Sequence, residues 1–212
     1  MARFLLLIVA ISCGLSVTVD SAPISGAKDS PIEGYAFMAI VALYSQIAGN
    51  GVIVSTRWVL TAASTFHEGP DTEYCAVIGG STLRTGTYYR TLRIYRHPEF
   101  DGSLYNVGLL HLAKELVLGP TINIVHTPRS SPPDMRPVIL SFGKNSEGTT
   151  HLQSFKFKLT SDSRCVERLS DVHDKQVILS GQGYCIDELL QGNRIFEYND
   201  VGAPAITEWQ QI

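Results

Sequence analysis

Short apolar runs separated by turn-forming residues fill most of the chain after its first two dozen residues. Tyr, Thr, Leu and Ile dominate residues 87–95, and Phe alternates with Lys over residues 155–159. The remaining runs occupy residues 37–44, 52–54, 58–63, 75–78, 107–112, 138–142 and 177–179. Runs this short, at this spacing, predict strands of an all-β sandwich or barrel.

Local signals divide these predicted strands. Ala-Gly-Asn-Gly at residues 48–51 predicts a hairpin turn. A proline-containing stretch from about Thr127 to Pro137 predicts a linker between two halves of the chain. Residues 161–169 form the single predicted helix, with Ser161 or Asp162 as its N-cap.

The N-terminus has the pattern of a secretory signal. Arg3 precedes an apolar run over residues 4–17, and more polar and small residues follow up to Ala22. The run is short for a bilayer span, so residues 1–21 are interpreted as a signal peptide cleaved after Ser21 or Ala22. This predicts a secreted protein with no membrane association after cleavage.

Composition restricts the chemistry further. The chain has 212 residues, 44% of them hydrophobic, and a formal net charge of −3, which argues against nucleic acid as a partner. Cys13 lies in the signal, which leaves Cys75, Cys165 and Cys185 for at most one internal bridge. The spare thiol is either buried or paired with another chain. The six histidines lack metal-ligand spacing, so neither a metal nor another cofactor is predicted.

The sequence W-V-L-T-A-A-S at residues 58–64 resembles the W-V-L-T-A-A-H-C segment of trypsin-like serine proteases. Five further segments match that family in the same order, at residues 24–27, 49–54, 105–112, 138–143 and 199–204. The resemblance spans about residues 24–206. It implies two antiparallel six-stranded β-barrels, at about residues 24–126 and 137–212. The family continues well beyond its G-D-S-G-G-P motif, so the second barrel is expected to be incomplete and truncated at the C-terminus.

The same resemblance locates three catalytic positions. The family has a histidine, an aspartate and a serine where this chain has Ser64, Asn106 and Val201. In the family mechanism the histidine deprotonates the serine while the aspartate orients the histidine. Serine is no base, asparagine cannot stabilise an imidazolium, and valine has no nucleophilic atom. Loss of the three together removes on the order of 10⁶ in kcat. The resemblance therefore implies a pseudoprotease that acts by protein binding, as a cofactor, decoy or regulator of extracellular proteolysis.

Further expectations follow from the resemblance alone. It pairs Cys165 with Cys185, and it places Ile195 at the floor of the specificity pocket. It also assigns Gly49 and Thr65 to two positions that form a disulfide in the family, so that bridge is expected to be absent. Neither a catalytic residue nor a metal site is predicted.

Two alternatives remain open at the level of sequence. One is a weak hydrolase with an unrecognised nucleophile, for example Cys75, and the other is a non-functional fragment of a longer family member. His67, Ser55 and Thr61 lie near Ser64 but are interpreted as ordinary surface and strand residues. The predicted partner is an extracellular protein, whether protease, inhibitor or substrate, and Cys75 is a candidate for an intermolecular disulfide.

Overall fold

A computed structural model describes residues 28–66, 69–126, 136–143, 150–188 and 198–206. The predicted signal peptide, most of the predicted linker, His67 and Ile195 lie outside these residues. The described elements are β1 Lys28–Asp29, β2 Met38–Leu43, β3 Gln46–Ser55, β4 Trp58–Thr61, β5 Tyr74–Ile78, β6 Thr87–Arg96, β7 Gly108–Leu112, β8 Val138–Ser141, β9 Gln153–Leu159, α1 Asp162–Arg168, α2 Val172–Leu179, β10 Ile186–Glu188 and β11 Ala205–Ile206.

Six antiparallel strands close into a barrel in the order β2-β3-β4-β7-β6-β5. Strand β2 is buried along its whole length, which explains its uninterrupted apolar sequence. Ala39 and Val41 point into the barrel, where they pack with side chains from the other strands. Met38 and Ile40 point outward and pack against the second half of the chain. The barrel wall therefore separates two apolar cores.

The second half contributes a partial sheet of five described strands. Strands β1, β9, β8 and β11 are hydrogen-bonded in that order, and β10 also pairs with β9. Val138 and Leu140 of β8 face the outer side of the barrel. Ile139 points the other way, into a small core with Phe155 and Phe157 of β9. The prediction of one closed barrel and an incomplete second one is confirmed for the described residues.

The hairpin turn predicted at residues 48–51 is wrong. These residues lie inside β3, where Gly49 is opposite Val41 and Gly51 is opposite Ala39. The chain reverses instead at Tyr44 and Ser45, with φ of 49° and 64°, which are the angles that a tight hairpin turn of the mirror-image type requires. Gly49 and Gly51 are glycines because neighbouring segments approach β3 too closely for a Cβ atom. Two glycines flanking an asparagine also occur in turns, so the composition alone suggested a turn.

Helix α2 is a second correction. Residues 161–169 were predicted as the only helix, and α1 confirms it with Ser161 as N-cap. Residues 177–179, however, were predicted as a strand and belong to α2. The Asp171 carboxylate accepts hydrogen bonds from the backbone N–H groups of His173 and Asp174, which begins this helix. Apolar residues at the end of a short helix give the same local signal as a short strand.

The Cys165–Cys185 disulfide joins α1 to the segment before β10, as the family resemblance implied. The bridge closes a loop with a sequence separation of 20 residues. We expect the double variant Cys165→Ala/Cys185→Ala to lose about 3 kcal/mol of unfolding free energy, because the unfolded chain gains loop entropy. Urea denaturation measures this loss. A reductant should destabilise the wild type by a similar amount and leave the double variant unchanged; an equal effect on both would contradict the assignment.

Candidate functional site

The end of β4 and the beginning of β7 bring two of the predicted positions together. The two strands pair with Thr61 opposite Gly108, so the segment that follows β4 lies beside the segment that precedes β7. Ser64 is in the 3-10 helix Ala63–Thr65. Its backbone N–H donates to Asn106 Oδ1 at 2.8 Å, and Asn106 Nδ2 donates to Ser64 Oγ at 3.0 Å. Asn106 is buried, so this reciprocal pair holds the two segments in one geometry.

Val201, the third predicted position, lies at the same end of the barrel. It follows the 3-10 helix Tyr198–Asp200, and its carbonyl oxygen accepts a hydrogen bond from the Asn50 backbone N–H at 2.7 Å. A Cβ atom built on Gly49 would lie 2.7 Å from that carbonyl oxygen and 3.0 Å from Thr65 Cγ2. Gly49 therefore separates Val201 from the segment that contains Ser64. The same short distance to Thr65 shows that Gly49 and Thr65 lie side by side, as expected for two positions that a disulfide joins in the family.

A buried polar network connects the two halves of the chain beneath these positions. The fully buried Asn50 donates from Nδ2 to Ser141 Oγ at 3.1 Å and to the Asn199 carbonyl at 2.8 Å. Its Oδ1 accepts from the Phe142 N–H at 2.8 Å. The Ser141 hydroxyl in turn donates to the buried carboxylate of Asp200. Strand β3 thereby positions residues 141–142 and 199–201, which both belong to the second half.

Two hydroxyls extend this network toward Ser64. Thr61 Oγ1 donates to the Asn50 carbonyl at 2.6 Å and lies 3.0 Å from Thr65 Oγ1. Both threonines are buried. Asn50 is not among the site residues predicted from the sequence, because Gly-Asn-Gly at residues 49–51 was interpreted as a turn. The available signal was the resemblance of residues 49–54 to a family motif.

Ser64 and Asn106 contribute a hydroxyl and an amide to this site. An asparagine side chain offers two donors and one acceptor and takes up no proton near neutral pH. In the loop that precedes Asn106, His97 stacks on Tyr105 with ring centroids 4.9 Å apart. His97 Nδ1 accepts a hydrogen bond from the Glu99 N–H, so that nitrogen serves its own loop. His111 stacks on Trp58 at 4.3 Å, on the outside of the barrel.

Cys75, the alternative nucleophile, is a half-buried free thiol on β5. Burial raises the pKa of the Cys75 thiol above its usual value, which lowers the thiolate fraction near neutral pH. Its side chain packs against the outer core that β2 and the second half share. Within the described ranges, no group of three or more His, Cys, Asp or Glu side chains is arranged to bind a metal ion. In the same ranges, no helix has the length and apolar character needed to cross a bilayer.

Comparison with known proteins agrees with this architecture. The family model described as Trypsin matches residues 24–212. The chain belongs to the trypsin family. Among solved structures, it is similar to human heparin binding protein, with 19% identity and a TM-score of 0.68 over 87% of this chain and 81% of that one. The trypsin-like fold assigned from the sequence is therefore confirmed.

Two other similar structures are of proteins that differ in their described activity. The scabies mite inactivated protease paralogue S-D1 is 19% identical, with a TM-score of 0.68 over 86% of this chain and 81% of that one. Mouse neuropsin, a serine protease, is 17% identical, with a TM-score of 0.68 over 86% of this chain and 82% of that one. This trypsin fold therefore occurs in proteins described as inactivated and as proteases. Any inference about activity depends on the side chains of the site.

Proposed function

We propose that this protein is a secreted, non-catalytic member of the trypsin family that acts by binding another extracellular protein. One observation supports this most directly: the reciprocal hydrogen bonds between Ser64 and Asn106. In the alignment of family motifs these residues replace the catalytic histidine and aspartate, and Val201 replaces the serine. A Ser–Asn pair preserves the connection between the two segments, but it supplies neither a base nor a negative charge.

The energetic consequence of these substitutions is large. In the family template the base, its orienting carboxylate and the nucleophile act as a unit, and losing the unit lowers kcat by about 10⁶. That factor corresponds to roughly 8 kcal/mol of transition-state stabilisation. A carbonyl group of the site is also turned inward, since Val201 O accepts from the Asn50 N–H. This hydrogen bond joins the Val201 backbone to β3.

The alternative of a thiol hydrolase has less physical support. Reactive cysteines depend on nearby positive charge or a base that stabilises the thiolate, whereas burial alone shifts Cys75 toward the thiol. Secretion is inferred from the signal-like N-terminal sequence. In that compartment Cys75 is a candidate for a disulfide with the partner, which would have to approach β5 closely.

A pair of activity measurements tests the proposal. The purified full chain is treated with a fluorophosphonate serine probe and with a broad panel of peptide substrates, with neuropsin as the positive control. We expect no stoichiometric labelling and a kcat/KM at least about 10⁶-fold below that of the active control. Labelling that Ser64→Ala abolishes, or turnover that thiol alkylation abolishes, would contradict the proposal and favour the hydrolase.

A further inference from the structure

A β-bulge places two consecutive side chains of β6 on the outside of the barrel. The register between β6 and β7 shifts between Thr91 and Arg93, so Leu92 is an extra residue on β6. Thr91 and Ile94 are both buried, while Leu92 and Arg93 between them are both exposed. An unbroken alternation would have turned one of these two inward. The bulge thus adds both an apolar and a cationic group to the solvent side.

Aromatic rings lie near Arg93, both on β6 itself and on the neighbouring strands β7 and β4. Arg93 is opposite His111, which is in turn opposite Trp58, so the three lie in one row across β6, β7 and β4. Trp58 and His111 stack with ring centroids 4.3 Å apart, and Tyr95 lies 5.5 Å from Trp58. The Arg93 guanidinium carbon is 5.1 Å from the centre of the Tyr95 ring. We call Trp58, Leu92, Arg93, Tyr95 and His111 the arginine–aromatic face.

The arginine of this face has no acidic partner among the described residues. The ion pair found there, Arg57 with Glu115 at 3.3 Å, uses a different arginine. Arg90 is a second exposed cation on β6 outside that pair. The acidic 3-10 helix Asp71–Glu73 lies beside β6, yet its carboxylates do not come within 4.0 Å of these guanidinium groups. Among the described residues, Arg90 and Arg93 are therefore exposed cations that no ion pair occupies.

We propose that the arginine–aromatic face is a docking surface for a protein segment in which a carboxylate lies next to an apolar side chain. Trp, Tyr and Arg are the residue types that dominate the energetics of protein interfaces. A guanidinium group held over a ring can bind a carboxylate through two parallel hydrogen bonds. Leu92 is 53% exposed and Tyr95 40%, so the surface also has apolar area that a partner would cover.

The apolar part of the face distinguishes this partner from a sulfated polysaccharide. A polyanion bound by charge alone needs a dense group of cations and gains nothing from apolar side chains such as the exposed Leu92 and the partly buried Trp58. Here one row contains two aromatic rings and one arginine, with a leucine beside it. An acidic and apolar protein segment satisfies both properties. The inference rests on the proposed binding function and specifies where that binding takes place.

The test uses a displayed library of random 12-residue peptides, selected on the purified full chain. Enriched peptides are synthesised with a fluorescent label, and their affinity is measured by anisotropy. We expect them to combine Asp or Glu with Leu, Phe or Trp, and we expect Arg93→Glu to weaken binding at least tenfold. Arg84→Glu is the matched control, because Arg84 is an exposed arginine on the loop before β6 and outside the face. It should change the affinity less than twofold.

Three outcomes would overturn the docking surface. They are failure to enrich acidic and apolar peptides, equal weakening by Arg93→Glu and Arg84→Glu, and binding of a heparin hexasaccharide in place of the peptides. The activity assays report separately on the proposed function. If the protein cleaves peptide substrates and Arg93→Glu still weakens binding of the selected peptides, the non-catalytic function is rejected and the docking surface is retained. Failure of the peptide selection without any turnover would reject the surface alone.

Discussion

Replacing Asn50 with alanine is expected to lower the free energy of unfolding by about 3–5 kcal/mol. The side chain is fully buried, and it connects β3 to two segments of the second half. Its loss removes the acceptor of the Phe142 N–H and the donor to the Asn199 carbonyl. A buried backbone group left without its partner costs about 1–3 kcal/mol, and a methyl group replaces neither function. Urea denaturation followed by tryptophan fluorescence measures the change.

Asn123→Ala is the matched control for this prediction. Asn123 is exposed, and its Oδ1 accepts a local hydrogen bond from the Ile124 N–H at 2.8 Å. We expect this variant to lose less than about 1 kcal/mol, because water replaces the bond. If the two variants lost the same amount, Asn50 would not be the connection between the two halves.

Gly202→Ala is expected to be similarly damaging, at more than about 3 kcal/mol. Gly202 has a φ of +75°, which strains any residue with a side chain. A Cβ atom there would lie 2.3 Å from the Asn50 carbonyl oxygen and 2.4 Å from Thr61 Oγ1. The carbonyl is backbone and cannot rotate away, so residues 199–202 would have to withdraw from β3. Loss of stability in urea and increased hydrogen exchange at the Asn50 amide are the measurements.

Gly102→Ala separates the two causes. Gly102 also has a positive φ, of +107°, but nothing lies within 4 Å of a Cβ atom built on it. It should therefore lose only the cost of the backbone conformation, about 1–3 kcal/mol. If Gly202→Ala lowered the free energy of unfolding no more than Gly102→Ala does, the steric clash with the Asn50 carbonyl would contribute nothing, and the prediction would be wrong.

The strands of the barrel were predicted well from the sequence because their signal is local. Residues 58–63, 75–78, 87–95 and 107–112 each correspond to an observed strand with ends shifted by a few residues. A buried strand needs a short apolar run wherever it lies in the fold. The family motifs assigned Ser64 and Asn106 to two catalytic positions, and the structure adds that the two residues, 42 positions apart, are hydrogen-bonded to each other.

The elements that were missed depend on distant neighbours. Gly49-Asn50-Gly51 has the composition of a turn, but β2 and residues 199–202 press against it and need its small side chains. Residues 177–179 are apolar in either a strand or a helix, and the Asp171 cap decides for the helix. A local sequence pattern is often compatible with more than one secondary structure. Contacts with residues distant in the chain then decide which of them forms.

The sequence by itself determined the trypsin-like organisation and the Cys165–Cys185 pairing, once the family motifs were matched. These are properties of residue identity and order. Only the tertiary structure decided that Asn50 joins the two halves and that the bulge at Leu92 assembles the arginine–aromatic face. Both features need strands that are far apart in the chain to meet, and their free energy arises from those contacts.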